Sequence, residues 1–193
     1  MPKEKKVKFK MEAEDLKRMS DEEFKWMLRS YRVMDIFWNP KRKIKKIPLK
    51  ERMRVVDYGC GIGRYTLPIA KLVGPEGKIF AVDICPPAIK HVKEMAVKEN
   101  LKNAEAILAE KYDTGIQESS IDLVLLIDTF HMIDDRDALF HEIHRMLKKD
   151  GLLFMDPGHM KMPQARGIVE HTNLFTITES LGNNMLVSRE FTS

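Results

Sequence analysis

The sequence has few of the features that mark secreted or membrane proteins. Two cysteines, Cys60 and Cys85, occur among its 193 residues, so a disulfide framework is not expected. No apolar run is long enough to cross a membrane, and the basic amino end lacks the apolar segment of a signal peptide. These absences predict a cytoplasmic protein with no membrane span.

Aromatic residues, 8% of the chain, are missing from its most basic stretch. Residues 41–54 carry eight basic side chains against Glu51, although the whole chain has a net charge of only +4. Nucleic-acid-binding patches usually interleave aromatic and basic residues, so we expect a solvated linker here. A patch for RNA or for an acidic partner stays open as the alternative.

What the sequence does contain is a glycine-rich turn in residues 55–63, VVDYGCGIG. Its β-branched start predicts a buried strand, and a helix is expected from about residue 64 to residue 73. Glycines at positions 59, 61 and 63 allow a tight turn and let the backbone approach a ligand. A strand, a turn and a helix in this order favour a nucleotide-type ligand at the carboxyl edge of a parallel sheet.

Strand and helix patterns alternate along most of the remaining chain. The alternation predicts an α/β fold with a mostly parallel sheet, helices on both faces and one antiparallel strand near an edge. Further strands are predicted at residues 78–83, 104–108, 121–127 and 151–155, helices at 86–100, 136–147 and 164–171, and a hairpin from strands at 175–179 and 185–188.

One more helix is expected before the sheet, starting at the capping box of residues 20–23. We therefore predict two parts of the chain: a helical lid or extension in residues 1–48, and the ligand-binding domain in residues 49–193. Residues 1–19 are expected to be loosely docked. The helix can cover the ligand edge or simply pack, and its aromatic residues suit either role: Tyr31, Phe37 and Trp38.

Residues beside the glycines narrow the class of ligand. A dinucleotide turn needs a third glycine where this chain has Arg64. Asp57 precedes the turn and would repel a pyrophosphate, whereas it would suit a ligand with positive charge. Asp83 ends the second strand, roughly 20 residues beyond the turn, where an acid can accept both ribose hydroxyl protons.

The segment from Met53 to Pro157 resembles the class I S-adenosylmethionine-dependent methyltransferases. VVDYGCGIG is similar to their first motif, Asp83 to their ribose-binding acid, and residues 121–133 and 147–157 to motifs at their fourth and fifth strands. Within this class the chain is most similar to the small-molecule group that includes the ubiquinone and menaquinone C-methyltransferases. The resemblance implies a Rossmann-like three-layer sandwich of seven strands in the order 3-2-1-4-5-7-6, with strand seven antiparallel.

The resemblance also implies which residues hold the cofactor, S-adenosylmethionine. Asp57 would offset its positive end, directly or through water, and the amides near Gly59 and Gly61 would hold its carboxylate. Asp83 would bind the ribose, and Ile84 would cover one face of the adenine. The implied cofactor residues are Asp57, Tyr58, Gly59, Cys60, Gly61, Gly63, Asp83, Ile84, Glu110, Lys111, Ile127 and Asp128.

Residues after the fourth and fifth strands are candidates for acceptor binding and proton transfer. His131 could act as a base near neutral pH, or it could be structural. Asp128 and Asp156 end strands at the same edge, as in metal-dependent methyltransferases, but Pro157 stands where an amide ligand would be wanted, so no metal is expected. The predicted acceptor-binding residues are Tyr31, Trp38, His131 and His159.

The sequence thus predicts an enzyme that moves a methyl group from S-adenosylmethionine to a small molecule by in-line displacement, leaving S-adenosylhomocysteine. No universal catalytic residue is needed, because the cofactor supplies the electrophile. Two alternatives stay open: a protein that binds the cofactor without turnover, and a methyltransferase that uses the basic stretch to act on RNA or protein. Neither the acceptor nor the oligomeric state follows from the sequence.

Overall fold

The structure of the protein is a computed structural model that describes residues 19–37 and 39–190, with the backbone alone for residues 32–37. Trp38, a predicted acceptor-binding residue, lies outside the described residues. The same holds for the amino-terminal segment predicted to be loosely docked, apart from Met19. Within the described part of the chain, no helix has the length and apolar character needed to cross a membrane.

Strands and helices alternate after two amino-terminal helices. The strands are β1 (Arg54–Tyr58), β2 (Lys78–Asp83), β3 (Ala104–Leu108), β4 (Ile121–Ile127), β5 (Leu147–Asp156), β6 (Phe175–Ser180) and β7 (Met185–Arg189). The helices are α1 (Asp21–Phe37), α2 (Lys41–Ile44), α3 (Thr66–Val73), α4 (Pro86–Lys98), α5 (Arg136–Met146) and α6 (Met162–His171), with a 3₁₀ turn at Phe130–Met132.

All seven strands form one sheet in the order β3-β2-β1-β4-β5-β7-β6. Strands β1 to β5 pair in parallel, and β7 pairs antiparallel with both β5 and β6. This confirms the predicted Rossmann-like architecture. The central strand β4 is a continuous apolar run because both of its faces are covered, and Leu123 through Leu126 are fully buried.

The core consists of two apolar layers, one on each face of the sheet. Successive side chains of a strand point to opposite faces, so Val55 belongs to one layer and Val56 to the other. Charged side chains collect where the strands end: Asp83 ends β2, Asp156 ends β5, and Asp128 directly follows β4. The carboxyl edge of the sheet is therefore the candidate position of a binding or catalytic site.

The basic stretch of residues 41–54 is not the solvated linker predicted from its charge. It begins with α2, and Ile44 and Ile47 are buried in one of the apolar layers. Lys43 forms an ion pair with Asp156 at the end of β5. The two isoleucines are three residues apart, so they lie on one face of the stretch, and this face packs against the sheet.

One strand is longer than predicted. β5 begins at Leu147, because Leu147 pairs with Ile121 before a bulge changes the register to Leu123 opposite Leu152. The remaining predicted helices and strands differ from the observed ones by about two residues or less at each end. The 3₁₀ turn after β4 was not predicted.

Helix α1 packs against the start of α4. Its capping box forms as predicted: the Glu23 amide donates to the Ser20 hydroxyl at 3.3 Å, and the Ser20 amide donates to the Glu23 carboxylate at 2.8 Å. Phe24 is buried with Cys85 and Ala88. Because Cys85 follows the end of β2, this packing places α1 beside the edge of the sheet that carries the polar strand ends.

Candidate functional site

Two cavities open at the carboxyl edge of the sheet. The larger has a volume of about 600 Å³ and is bordered by the glycine-rich turn, by α1 and by the ends of β4 and β5. The smaller, of about 340 Å³, is bordered by the end of β2. Gly59, Thr129 and Met132 line both cavities, so they meet at the end of β1 as two lobes of one site.

The glycine-rich turn borders both lobes and is fixed by its own hydrogen bonds. Gly59 has a φ of 77°, and a Cβ there would collide with the Thr129 side chain. The Gly59 amide donates to the Val82 carbonyl at 2.8 Å, and the Gly61 amide donates to the Asp83 carboxylate at 2.8 Å. Both bonds tie the turn to β2.

These hydrogen bonds bear on one expectation from the sequence. The amides of Gly59 and Gly61 are predicted to hold a ligand carboxylate, yet both already have protein acceptors. Since each amide has a single proton to donate, the structure gives them the task of shaping the turn. For an anionic group, the larger lobe instead offers three cationic side chains, those of Arg42, Lys46 and Arg64.

Replacing Gly59 by Ala is expected to destabilise the fold by roughly 2–4 kcal/mol, because the new methyl group meets Thr129 and the backbone is left-handed. Gly61→Ala is the matched control, since its backbone is also left-handed but no atom lies within 4 Å of the added Cβ. It should cost only about 1–2 kcal/mol. Urea unfolding measures both losses, and equal values would refute the importance of the Thr129 contact.

Asp83 places a partly buried carboxylate at the border of the smaller lobe. Its two oxygens accept the amides of Gly61 and Cys85 at 2.8 and 2.9 Å. Burial raises the pKa of Asp83, while the backbone donors lower it. Each oxygen keeps a second lone pair, so this carboxylate can also accept the two hydroxyl protons of a ribose.

Apolar side chains complete the smaller lobe beside that carboxylate. Ile84 directly follows Asp83, and Met132 and Ile133 line the lobe from the segment after β4. An apolar slot with a carboxylate beside it suits a nucleoside, whose base can lie between the apolar side chains. The predicted cofactor residues that line this lobe are Tyr58, Gly59, Asp83, Ile84 and Lys111.

The larger lobe joins residues that are far apart in the sequence. Lys43 and Asp156 line it as an ion pair, although the sequence did not place Lys43 in the site. Of the predicted acceptor-binding residues, Tyr31 and His159 line it. The predicted cofactor residues found there are Gly59, Cys60, Gly61, Ile127 and Asp128.

Three predicted cofactor residues, Asp57, Gly63 and Glu110, line neither lobe. Asp57 is buried and accepts a hydrogen bond of 2.6 Å from the Thr66 hydroxyl. Gly63 lies against α4. Glu110 is exposed and forms an isolated bridge with Asp113. Asp57 and Gly63 support the turn from behind, whereas Glu110, implied by the resemblance as a cofactor residue, lies outside both lobes.

Asp57 has a shifted pKa. Burial raises the pKa of Asp57 to about 6. The hydrogen bond from the Thr66 hydroxyl lowers this pKa, and the nearby charge of Asp83 raises it further. The carboxylate is therefore ionised at pH 7.5, just behind the glycine-rich turn. A cationic group bound at the turn would interact with this charge at a distance, so the predicted electrostatic role of Asp57 stays a prediction.

A carboxylate and two imidazoles lie together at the ends of β4 and β5. Oδ1 of Asp128 is 4.0 Å from Nδ1 of His131, and the rings of His131 and His159 are 4.9 Å apart and nearly perpendicular. Burial lowers the pKa of His131, Asp128 raises it and His159 lowers it, so the imidazole is neutral at pH 7. Asp128 and His159 line the larger lobe, whereas His131 lines neither lobe, so its predicted base role has no direct contact with the cavity.

Thr129 and Tyr112 are two of the residues that border the site and that the sequence did not predict. Thr129 lines both lobes, and its hydroxyl donates to the Ile127 carbonyl at 3.1 Å. Its position directly after β4 is a usable signal, because ligands bind beyond the carboxyl ends of parallel strands. Tyr112 lines the smaller lobe, and its hydroxyl accepts the Asp135 amide at 2.9 Å. Nothing in the local sequence around Tyr112 indicates this contact.

The strand order, the glycine-rich turn after β1 and the acid at the end of β2 together define the class I S-adenosylmethionine-dependent methyltransferase fold. Residues 49–181 match the methyltransferase domain family, and the chain belongs to this family. The cofactor of this class is S-adenosylmethionine, as the sequence predicts.

Relatives of the chain carry methyltransferase names. It is 29% identical over 112 residues to (S)-coclaurine N-methyltransferase of Thalictrum flavum subsp. glaucum, a match that covers 58% of this chain and 30% of that protein. It is 25% identical over 112 residues to demethylmenaquinone methyltransferase of Staphylococcus carnosus, with 58% and 46% covered. The matched region is thus less than half the length of either relative.

A solved structure shows the same fold. The crystal structure of a SAM-dependent methyltransferase from Aquifex aeolicus aligns with a TM-score of 0.67 and 23% identity. The alignment covers 78% of this chain and 87% of that chain. The agreement extends over most of both chains, which supports the fold of this chain.

The residues present fit S-adenosylmethionine. The carboxylate of Asp83 has lone pairs for the ribose hydroxyls beside an apolar slot that suits the adenine. The cationic side chains of the larger lobe suit the cofactor carboxylate, and the buried charge of Asp57 suits its positive end. Between these two parts, the missing Cβ of Gly59 leaves room for the Thr129 side chain, which lines both lobes.

Proposed function

We propose that the chain transfers a methyl group from S-adenosylmethionine to a small acceptor in the larger lobe, with S-adenosylhomocysteine as the product. The junction of the two lobes at Gly59, Thr129 and Met132 carries this proposal. A nucleoside in the smaller lobe would extend through this junction. Its reactive end would therefore reach the space that is left for an acceptor.

The part of the chain in this reaction is to position two molecules. The cofactor, when bound, supplies a methyl group on a positively charged sulfur, which a nucleophilic acceptor displaces in line. Asp83 orients the ribose and the apolar side chains of the smaller lobe hold the base. Asp57 stabilises positive charge from behind the turn. Such positioning can supply a large share of the rate of a displacement.

The larger lobe favours a small acceptor that carries negative charge or an acidic hydroxyl. Its volume of about 600 Å³ lies within the range of small-molecule sites. Arg42, Lys46 and Arg64 line it together with Asp128, so positive charge remains in the lobe after one of the three cations pairs with the cofactor carboxylate. Arg42, Lys43 and Lys46 of the basic stretch border this lobe, so part of the charge of the stretch serves this site in the proposal.

Helix α1 is a lid in this proposal. Met27 and Tyr31 line the larger lobe, while Phe24 anchors the helix in a buried cluster with Cys85 and Ala88. A helix in this position limits the access of water to the lobe, which favours transfer to the acceptor over loss to solvent. Residues 1–48 then form the extension and residues 49–193 the methyltransferase domain.

Calorimetric titration of the full chain with S-adenosylmethionine and with S-adenosylhomocysteine tests the cofactor site. We expect both to bind with dissociation constants of about 1–100 μM. Binding of neither would overturn the proposal. Transfer of a labelled methyl group is then measured on a panel of small carboxylates, phenols and amines, with product expected from the acidic members. Binding without transfer to any of them would favour a protein that holds the cofactor without turnover.

A further inference from the structure

Asp128, His131 and His159 form a cluster that methyl transfer itself does not require. One ligand atom from each side chain can be chosen so that all three lie within 4.8 Å of one another. Among residues 19–37 and 39–190, this is the one group of three or more such side chains that meets this criterion. A carboxylate with two imidazoles is a common ligand set for first-row transition metals.

The space between two of these atoms has the size of a metal ion. Nδ1 of His131 is buried without a hydrogen-bond partner and is 4.0 Å from Oδ1 of Asp128. Such metals bind nitrogen and oxygen ligands at about 2.0–2.2 Å, so a point midway between the two atoms is at about the right distance from both. The ligand atoms of the three side chains lie within 4.8 Å of one another, so a shift of the His159 ring by up to about 2 Å would bring it into the same coordination sphere.

Gly158 keeps this space open. Its φ is 62°, and an added Cβ would lie 2.5 Å from Nδ1 of His131 and 2.6 Å from Oδ1 of Asp128. Any other residue at position 158 would therefore fill the gap between the two ligand atoms. The glycine at position 158, between the two facing ligand atoms, therefore supports a metal site independently of the kinds of ligand present.

The other nearby acid does not belong to this cluster. Asp156 already binds Lys43, and its Oδ1 accepts the Gly158 amide at 2.8 Å. The pair of Asp128 and Asp156 weighed from the sequence therefore does not form a metal site. The structure pairs Asp128 with two histidines, a set that favours iron, cobalt, nickel or zinc over magnesium or calcium.

We propose that Asp128, His131 and His159 bind one divalent transition-metal cation of the iron-to-zinc group at the wall of the larger lobe. Asp128 and His159 border that lobe, so coordination positions not filled by the protein would face the acceptor. If the proposed methyl transfer holds, a metal there would bind an acceptor oxygen and favour its deprotonated form. Metal binding itself does not rest on the proposed function.

The test is a titration of the full chain, after treatment with a chelator, with Co²⁺ at pH 7.5. Visible absorption and calorimetry report binding, and Zn²⁺ competition gives the relative affinity. We expect one Co²⁺ per chain in the wild type. His131→Ala and His159→Ala should each weaken Co²⁺ binding by about tenfold or more, because each removes a direct ligand. His141→Ala, an exposed histidine on α5, is the control and should bind as the wild type does.

A second variant keeps all three ligands. Gly158→Ala should also lose Co²⁺, provided that circular dichroism shows a folded protein; if it does not fold, the two histidine variants decide. The proposal is overturned if the wild type binds neither Co²⁺ nor Zn²⁺, or if His141→Ala weakens binding as much as the ligand variants. S-adenosylhomocysteine is titrated in parallel. A chain that binds S-adenosylhomocysteine but neither Co²⁺ nor Zn²⁺ would reject the metal site and leave the proposed function intact.

Discussion

Asp83→Asn is expected to weaken the binding of S-adenosylhomocysteine by about a hundredfold. Each hydrogen bond from a ribose hydroxyl to a carboxylate contributes about 1.5–3 kcal/mol, and every 1.4 kcal/mol changes the dissociation constant tenfold. The amide group of asparagine keeps only one oxygen. It would also place an NH₂ group against one of the two backbone amides that Asp83 now accepts, those of Gly61 and Cys85.

Calorimetry measures this loss, and thermal unfolding shows whether the variant is folded. Asp122→Asn is the matched control, because Asp122 is also a hydrogen-bonded aspartate. It accepts hydrogen bonds from the Arg54 amide at 2.7 Å and from the Lys148 ammonium group at 2.6 Å. Asp122 lies near the start of β4, at the opposite edge of the sheet. The control should bind S-adenosylhomocysteine within about twofold of the wild type. Normal binding by Asp83→Asn would reject the ribose assignment.

The sheet could be predicted because its strands are buried on both faces. A run such as residues 121–127 is apolar throughout, and its end is marked by Asp128, so periodicity and strand ends agree. Right-handed crossovers then leave few topologies for a series of strand and helix units. The acid at the end of β2 was found by the same logic, since its distance from the glycine-rich turn is set by one strand-helix-strand unit.

The rest of the site depends on contacts between distant parts of the chain. The charge of residues 41–54 favours solvent, but burial of Ile44 and Ile47 and the ion pair between Lys43 and Asp156 bring that stretch to the cavity. Local sequence does not show that the Gly59 and Gly61 amides bind β2 residues instead of a ligand. In each case the deciding partner comes from another strand or loop.

The histidine cluster shows the same limit at finer scale. The sequence named His131 and His159 separately as acceptor-binding residues, and Asp128 as a cofactor residue. Their common position depends on β4 and β5 being neighbours and on Gly158 leaving a gap between the side chains. Each of these facts belongs to the sheet register and loop geometry, which composition and spacing do not determine.

Asp57→Asn is expected to stabilise the ligand-free protein above pH 7 while weakening the binding of S-adenosylhomocysteine. The folded-state pKa of Asp57 is about 6, compared with 3.8 for an unperturbed aspartate, because burial disfavours the charge. Above pH 6 the ionised, buried carboxylate therefore lowers the free energy of unfolding. By the size of the shift the cost is about 3 kcal/mol, and an asparagine avoids it while still accepting the Thr66 hydroxyl.

The pH dependence gives the sign of this effect. Between about pH 4 and pH 6 the folded state holds a proton on Asp57 that the unfolded state has lost, so the contribution of Asp57 to stability increases as the pH falls through 6. The advantage of Asp57→Asn should thus be largest at pH 8 and disappear near pH 4. Thr66→Val removes the donor that lowers the pKa, so it should enlarge the pH dependence. Urea unfolding at several pH values measures both, and a constant difference between Asp57→Asn and the wild type would contradict the shifted pKa.

Ligand binding separates the role of Asp57 from that of Asp83. S-adenosylhomocysteine has an ammonium group, whereas 5′-methylthioadenosine has the same ribose and base without it. If the buried carboxylate acts on positive charge, Asp57→Asn should weaken only the ligand that carries the ammonium, by about tenfold. Asp83→Asn should weaken both, because both ligands present the same hydroxyls. Equal losses for the two ligands in Asp57→Asn would mean that Asp57 only shapes the turn, through its hydrogen bond with Thr66.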